Sequence, residues 1–237
     1  MPIILAIETS SELASCALLS GDTLLERSSS GVRTHSQSIL PMVQELLAEA
    51  GIALRDCDAI AFGSGPGSFT GVRTACGIAQ GLAFGAALPV VPVVTLPAMA
   101  QACREQTGAS DVLAVLDARM GEVYWAQYRY ADNGWQQVVA PTLCAPGDVA
   151  PLPAQSPLAA CGNGFAAYAE VFAGRDFAAA ALVNVMPHAS QIARLAAIEL
   201  AAGHAVAPAE AQPLYLRNKI AFTSAERQVI NAAKAAA

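Results

Sequence analysis

Residues 62–73 read FGSGPGSFTGVR. Four glycines and one proline follow the apolar run 59–62, AIAF, and precede a helical pattern, so the stretch predicts a strand-to-helix turn. Glycine allows another backbone or a phosphate to come close, and a helix N-terminus offers free N–H groups. The residues alone therefore predict an anion site or a tight contact surface. They exclude a P-loop, because no Gly-Lys-Ser/Thr follows, and they fit a G-x-G-x-x-G dinucleotide turn poorly.

Length and composition limit the classes of protein. A chain of 237 residues fits one large domain or two small ones. Its net charge is −6, and its Lys and Arg residues number only 13 and are scattered, which argues against strong nucleic-acid binding by this chain alone. Six cysteines form no C-x-x-C pair, which predicts small buried thiols and not disulfides or metal ligands.

One uncharged stretch, residues 74–103, has the length of a membrane helix. Pro89, Pro92 and Pro97 divide it, which favours a helix, a buried strand at 90–94 and a second helix. The N-terminus carries neither a basic region nor a cleavage site of the signal-peptide kind. The sequence thus predicts a cytoplasmic protein without membrane contact.

The hydrophobic pattern predicts an order of strands and helices. For the first half this order is strands at 3–7, 15–19 and 23–28, a helix opened by Thr34 and bent by Pro41 that ends near 50, a strand at 59–62, a helix to Gly85, a strand at 90–94 and a helix at 97–106. After a hinge at 108–110, the second half predicts strands at 112–116, 123–130 and 158–161, a hairpin turn at Asn133-Gly134, a proline-rich surface connection at 140–158, helices at 165–172 and 187–202, and a frayed tail in the last fourteen residues.

Several segments of the chain, taken together, resemble the TsaB (YeaZ) family. The resemblance rests on the signature Gly63–Arg73 and extends from residue 3 to about 220. Its other carriers are Ala6-Ile7-Glu8-Thr9-Ser10, Thr34-His35-Ser36-Gln37 with Leu40-Pro41, the run 116–124 (LDARMGEVY) and Pro213-Leu214-Tyr215-Leu216-Arg217.

The resemblance implies a fold and a division into domains. The implied fold is the α/β fold of actin, sugar kinases and Hsp70 (ASKHA), with two domains of mixed sheets flanked by helices. The first domain would span residues 1–107 and the second 108–220, followed by a tail at 221–237. The helix at 187–203 could pack back on the first domain.

The resemblance also implies a function. Members of the family act as non-catalytic scaffold and activator subunits for TsaD, the catalytic paralogue, which transfers threonylcarbamoyl from threonylcarbamoyl-AMP to N6 of the adenosine next to the tRNA anticodon. TsaD and the ATPase TsaE would be the protein partners, tRNA would be met only through the complex, and the free chain could pair with itself. No cofactor and no metal is implied. The alternatives are an active ATPase or kinase of the same superfamily and a metalloprotein like TsaD.

Two groups of residues mark where the superfamily binds nucleotide. Glu8 ends the first strand, where actin-like kinases place an acid, but Thr9, Ser10 and Ser11 follow it with no glycine to admit a phosphate. Asp117 and Arg119 lie near Gly121, a lone glycine where the second phosphate loop normally has two or three. The sequence therefore predicts a vestigial nucleotide site or, as the alternative, a hydrogen-bonded strand-end acid and a charged turn.

Other candidates have weaker patterns. His35 lacks the second histidine four residues on that would build a metal site, since Ile39 stands there. Gly162-Asn163-Gly164 is either a remnant of an adenosine site or a turn before a helix, and we favour the turn. Neither Ser10 nor Ser68 lies in a nucleophile motif.

A glycine stripe on the helix behind the loop predicts a contact surface. Gly77, Gly81 and Gly85 recur every four residues, and each costs roughly 1 kcal/mol against alanine inside a helix. Close approach of a second helix compensates, either within this chain or from a partner, and the resemblance favours TsaD through helices 35–50 and 71–86. Arg73 would bind an anion or the loop carbonyls. The expected interface comprises His35, Ile39, Val43, Gly71, Arg73, Thr74, Gly77, Ile78, Gly81 and Gly85, and the adjoining signature loop is Gly65, Pro66, Gly67, Ser68, Phe69 and Thr70.

Overall fold

The computed structural model describes residues 2–30 and 35–217. Within them the strands are β1 (Ile3–Glu8), β2 (Leu13–Ser20), β3 (Thr23–Ser30), β4 (Ala59–Gly65), β5 (Val90–Val94), β6 (Asp111–Arg119), β7 (Glu122–Ala131), β8 (Gly134–Cys144) and β9 (Leu158–Cys161). The helices are α1 (His35–Ala50), α2 (Phe69–Ala86), α3 (Thr95–Thr107), α4 (Gly164–Ala167), α5 (Ala169–Phe172) and α6 (Ala189–Ala201).

The first half of the chain builds a five-stranded mixed sheet in the order β3-β2-β1-β4-β5. The first three strands are antiparallel, whereas β1, β4 and β5 run parallel. Because side chains alternate along a strand, Leu5 and Ile7 point to the core under α1 and α2. Ile4 and Ala6 point to the opposite core, which α6 covers with Ile192. The late helix α6 therefore packs on the first sheet.

The second half builds a four-stranded sheet in the order β8-β7-β6-β9. Val112 and Ala114 of β6 pack with Met99 of α3 on one face. On the other face Leu113 packs with Phe165. The two mixed sheets flanked by helices match the predicted arrangement, and the elements of the first half follow in the predicted order.

Three details differ from the sequence predictions. The surface connection predicted from residue 140 begins only after Cys144, because strand β8 continues to that residue. The strand can include Pro141 since β8 lies at the edge of the sheet, where a missing N–H is tolerated. The expected helix 165–172 is two short helices that break at Tyr168, whose φ of −128° is not helical. The cap expected at Thr34 and the tail expected at 221–237 lie outside the described residues.

Two predictions from composition can be compared with the structure. Of the six cysteines, five are buried and Cys144 is partly buried, and all are free thiols, as predicted. The described helices include none that is long and apolar enough to cross a membrane.

Candidate functional site

A cleft of about 900 Å³ lies between the two halves of the molecule. It is lined by the segment after β1, the start of α1, the signature loop, the end of β6 and the chain segment 214–217. Of the residues predicted to form sites, Ser10, His35, Asp117, Arg119 and most of the signature loop meet here, whereas Glu8 and Thr9 do not line the cleft.

The signature loop is closed down on the segment that follows β1. Ser68 donates its N–H to the Ser10 carbonyl at 2.7 Å, and the Thr9 hydroxyl donates to the Gly71 carbonyl at 2.7 Å. A Cβ on Gly71 would lie closer than 3.0 Å to the Thr9 carbonyl, and one on Gly67 would lie 2.5 Å from the Ser10 oxygen. These two glycines therefore serve an internal contact of backbone on backbone. The Ser68 N–H is used in this contact, so it is not free to bind a phosphate.

Glu8 is fully buried behind this contact. Its Oε1 accepts a hydrogen bond from the Ser10 N–H, and its Oε2 has no partner among the described residues. A Cβ on Gly63 would overlap Oε2, so a side chain at this position would force the Glu8 carboxyl to move. Burial raises the pKa of the Glu8 carboxyl to about 7, although the hydrogen bonds from Ser10 oppose the shift.

The turn between β6 and β7 holds the second group. Asp117 accepts hydrogen bonds from the Arg119 N–H at 2.8 Å and from the Tyr168 hydroxyl at 3.1 Å. The Arg119 guanidinium lies 3.2 Å from Asp117 and 2.6 Å from Glu12 of the first half, with 70% of its side chain exposed. Asp117 and Arg119 thus form a charged turn with one ion pair, Arg119–Glu12, that crosses the cleft, and an exposed pair of this kind stabilises little.

The turn at 162–164 packs tightly under the same site. Gly162 has a φ of +113°, and a Cβ there would overlap the Val115 carbonyl. The Asn163 side chain accepts the Asp117 N–H at 2.9 Å. The geometry is that of a close-packed turn before α4, the alternative that the sequence favoured.

His35 begins α1 at the edge of the cleft. Its Nε2 lies 3.4 Å from the Glu12 carbonyl. Within residues 2–30 and 35–217, His, Cys, Asp and Glu side chains form no group of three that could hold a metal ion.

The outer face of α2 is open. Gly77, Gly81 and Gly85 are exposed, and a Cβ on any of them would meet nothing within 4 Å among the described residues. Phe84, in the same part of the helix, is 82% exposed. Internal packing of the described residues therefore does not account for the glycine stripe.

The interface expected from the sequence divides into accessible and buried parts. Ile39 and Val43 belong to the core of the first half, and Gly71 is closed off by Thr9, so these three residues leave the expected surface. Thr74 and Ile78 are partly buried. Arg73 is exposed but held in place.

Among the described residues, Arg73 contacts two aromatic side chains and not a carbonyl of the signature loop. Its Nε donates to the Tyr215 hydroxyl at 2.7 Å, and its guanidinium lies over the Phe69 ring, 3.4 Å from the centroid. Stacking of this kind fixes a planar guanidinium on an aromatic surface.

Sequence reasoning missed two features of these surfaces. Phe84 follows Gly77 by seven residues, so its place on the stripe could have been found from helical spacing. Tyr215 and Arg217 stood inside a quoted segment, but their partners, Arg73 and Glu122, lie 142 and 95 residues away. No local spacing signals such contacts.

Comparison with known proteins places the chain in a family. The family model described as "TsaD: tRNA N6-adenosine threonylcarbamoyltransferase" matches residues 20–234. The "tRNA threonylcarbamoyladenosine biosynthesis protein TsaB" of Haemophilus influenzae is 40% identical over 92% of this chain and 95% of its own, and that of Escherichia coli K12 is 41% identical over 92% and 96%. The solved structure "YeaZ from Pseudomonas aeruginosa" superposes with a TM-score of 0.85 at 40% identity, over 91% of this chain and 100% of that one. These matches confirm the predicted fold class, and the chain belongs to the TsaB (YeaZ) family.

Proposed function

We propose that this chain is an accessory subunit in the formation of N6-threonylcarbamoyladenosine in tRNA, and that it acts by binding a TsaD protein. The names of its relatives supply the pathway. The observation that carries the role is the open outer face of α2, where three exposed glycines lie beside the exposed ring of Phe84. An exposed helix face with small residues beside an exposed aromatic ring is suited to bind another protein.

Energetics support a partner on this face. Each exposed glycine costs the helix roughly 1 kcal/mol relative to alanine, and nothing among the described residues of this chain compensates. A helix from a partner can approach such a face to backbone contact, since no side chains stand in the way. Phe84 would then be buried, and burying an apolar side chain of this size is worth about 1.5–3 kcal/mol.

The mechanism that we propose is conformational. TsaD would bind along α2 and the exposed part of α1. If its catalytically competent state binds this face more tightly than its other states do, binding raises the population of the competent state. TsaE would join the assembly, and tRNA would be bound through the complex, because the charge of this chain is −6. In the absence of TsaD the same face would pair with a second copy of this chain.

The region around β1 supports a non-catalytic role. An active phosphate loop needs backbone N–H groups that face the ligand, but the Ser10 N–H is bonded to the Glu8 carboxyl and the Ser68 N–H to the Ser10 carbonyl. The cleft of about 900 Å³ nevertheless favours a second candidate, an active ATPase or kinase, because its volume and its Asp117 and Arg119 side chains suit a nucleotide.

The isolated chain should therefore hydrolyse no ATP above the background of the buffer. The reason is the closed contact between Gly71 and Thr9, which leaves no phosphate cradle at the end of β1. Phosphate release from freshly purified protein measures this, with TsaE as a positive control. Turnover that persists through repeated purification would favour the enzyme and contradict the accessory role.

Replacing Gly77 or Gly81 by leucine should weaken binding to TsaD tenfold or more and leave the monomer folded. The added side chain meets open space within the chain, so it does not strain the fold. At an interface where backbones meet, overpacking costs up to about 3 kcal/mol, and any cost above about 1.4 kcal/mol corresponds to a tenfold or greater loss of affinity. Titration calorimetry with TsaD measures the binding, and thermal unfolding reports the fold.

Ala201→Leu is the matched control, because Ala201 is exposed at the end of α6, on another part of the surface. It should change neither binding nor folding. Normal affinity of both Gly77→Leu and Gly81→Leu would remove this face of α2 from the interface.

A further inference from the structure

The last seven residues of the described chain, Ala211–Arg217, form an extended strap that crosses from α2 to the second half. The strap begins buried, with Ala211 only 1% exposed in the core beneath α2. It then lines the cleft with four consecutive residues, 214–217. Its course links the two halves at a point far in sequence from the hinge at 108–110.

The first part of the strap is anchored on α2 and the signature loop. The Ala211 carbonyl accepts hydrogen bonds from the Gln80 amide at 3.0 Å and from the Cys76 thiol at 3.5 Å. The Leu214 N–H donates to the Ser64 carbonyl at 2.8 Å. A Cβ on Gly65 would lie 3.0 Å from the Leu214 carbonyl, so strap and loop are in close contact.

The aromatic ring of the strap extends this anchor to the exposed side of α2. The Tyr215 ring lies 6.0 Å from that of Phe69, and its hydroxyl accepts the hydrogen bond from Arg73. Displacement of Tyr215 would therefore remove the hydrogen bond to Arg73 and leave its guanidinium held by the Phe69 ring alone.

The last residue of the strap is anchored on the second half. The Arg217 guanidinium donates to Glu122 at 2.6 Å and to the Arg119 carbonyl at 3.3 Å, and it lies 3.0 Å from the Met120 sulfur. Its side chain is only 15% exposed, so solvent screens this ion pair less than the Arg119–Glu12 pair. The contacts brace a turn in which Arg119 and Met120 both have positive φ, near +60°.

We infer that the strap is a coupling device: it ties the position of the second half to the signature loop and to the start of α2. Because the strap is anchored at both ends by specific contacts, movement of the β6–β7 turn must either pull on Ser64 and Arg73 or break one anchor. The inference rests on the proposed function in one respect only, the identity of the protein that binds α2. The mechanical link is a property of this chain by itself.

Hydrogen exchange of the full chain tests the link. Arg217→Ala removes the second anchor, and amide exchange should rise about fivefold in two separate places, the turn 119–123 and the signature loop 63–71. Exchange in the core strands β1 and β4 before Gly63 should stay unchanged. A rise confined to residues 119–123, or a uniform rise through every strand, would overturn the inference.

Variants of the other anchors make the test reciprocal. Tyr215→Ala removes the anchor on the first half and should raise exchange in the turn 119–123. Tyr215→Phe keeps the ring beside Phe69 and loses only the bond to Arg73, so it should raise exchange there less. Glu122→Gln should reproduce Arg217→Ala. Arg194→Ala is the control, because it removes a surface ion pair with Glu105, 3.6 Å long, away from the strap.

Binding to TsaD separates this inference from the proposed function. If the strap transmits to α2, Arg217→Ala should weaken binding about threefold to tenfold, although Arg217 lies outside the proposed partner face. If Arg217→Ala binds TsaD as tightly as the unaltered chain does, the strap does not influence the partner face, and the proposed effect of the strap on TsaD binding is wrong. Failure of the unaltered chain to bind TsaD would instead refute the proposed function. The hydrogen-exchange experiment would still show whether the strap couples the turn 119–123 to the signature loop.

Discussion

Gly71→Ala should lower the free energy of unfolding by about 3 kcal/mol or more, whereas Gly77→Ala, six residues along the same helix, should raise it by about 0.5–1 kcal/mol. At Gly71 the added methyl would lie closer than 3.0 Å to the carbonyl oxygen and carbon of Thr9. Those atoms are backbone at the end of a buried strand and cannot move aside as a flexible side chain does. The bond from the Thr9 hydroxyl to the Gly71 carbonyl would be strained as well.

Gly77 offers the matched comparison because it shares the helix and the chemistry of the change. Nothing lies within 4 Å of a Cβ there, so only the intrinsic preference of the helix for alanine remains. Urea unfolding followed by circular dichroism measures both variants. Equal effects at the two positions would show that Gly71 is not in backbone contact with Thr9.

The same pair of glycines illustrates what a sequence can specify. The pattern of residues 62–73 predicted a tight turn and, together with the other quoted segments, indicated the family, but it left open whether the glycines served an anion or a contact. The choice depends on Thr9 and Ser10, some sixty residues earlier, which meet the loop only after the sheet has formed. The spacing of residues along the chain does not predict this long-range contact.

Local patterns succeeded where local energetics decide. Strand β4 was expected from the run 59–62, and the structure extends it to Gly65 because pairing with β5 continues into the glycine-rich segment. The predicted helix 165–172 failed at Tyr168, whose hydroxyl is bonded to Asp117 across the molecule. A tertiary contact of this kind overrides helix propensity, and the sequence could not signal it.

The candidate site shows the same division. Exposure of Gly77, Gly81 and Gly85 was consistent with their spacing, since residues four apart share a helix face. Ile39 and Val43 obey the same rule but face inward, because an amphipathic helix needs a buried side and the sequence does not say which side meets a partner. The strap was not predicted at all.

Glu8→Gln should stabilise the protein by about 3 kcal/mol above pH 7, and the gain should vanish below about pH 4.5. The carboxyl is fully buried, and its Oε2 finds no hydrogen-bond partner among residues 2–30 and 35–217, so ionising it costs free energy that an amide avoids. Burial raises the pKa of Glu8 to about 7 in the folded protein from 4.5 in the unfolded chain.

The sign of the pH dependence follows from proton binding. Between pH 4.5 and pH 7 the folded protein holds the Glu8 proton and the unfolded chain has lost it, so rising pH favours unfolding through this window. Stability from the protonated acid is therefore complete below pH 4.5 and lost as pH passes 7. Glutamine has no proton to lose, and its oxygen can keep the bond from the Ser10 N–H.

Urea unfolding at pH values from 4 to 9 measures the difference between the two proteins. The difference should be near zero at the acid end, should grow through the window and should level off above pH 7. Glu170→Gln is the control, because Glu170 is an exposed acid on α5 and its replacement should leave the curve unchanged. Parallel curves for the unaltered protein and Glu8→Gln would mean that the Glu8 carboxylate is stabilised where it lies. The acid at the end of β1 would then be charged and available to a cation in the folded protein, and the view of this site as closed and vestigial would fail.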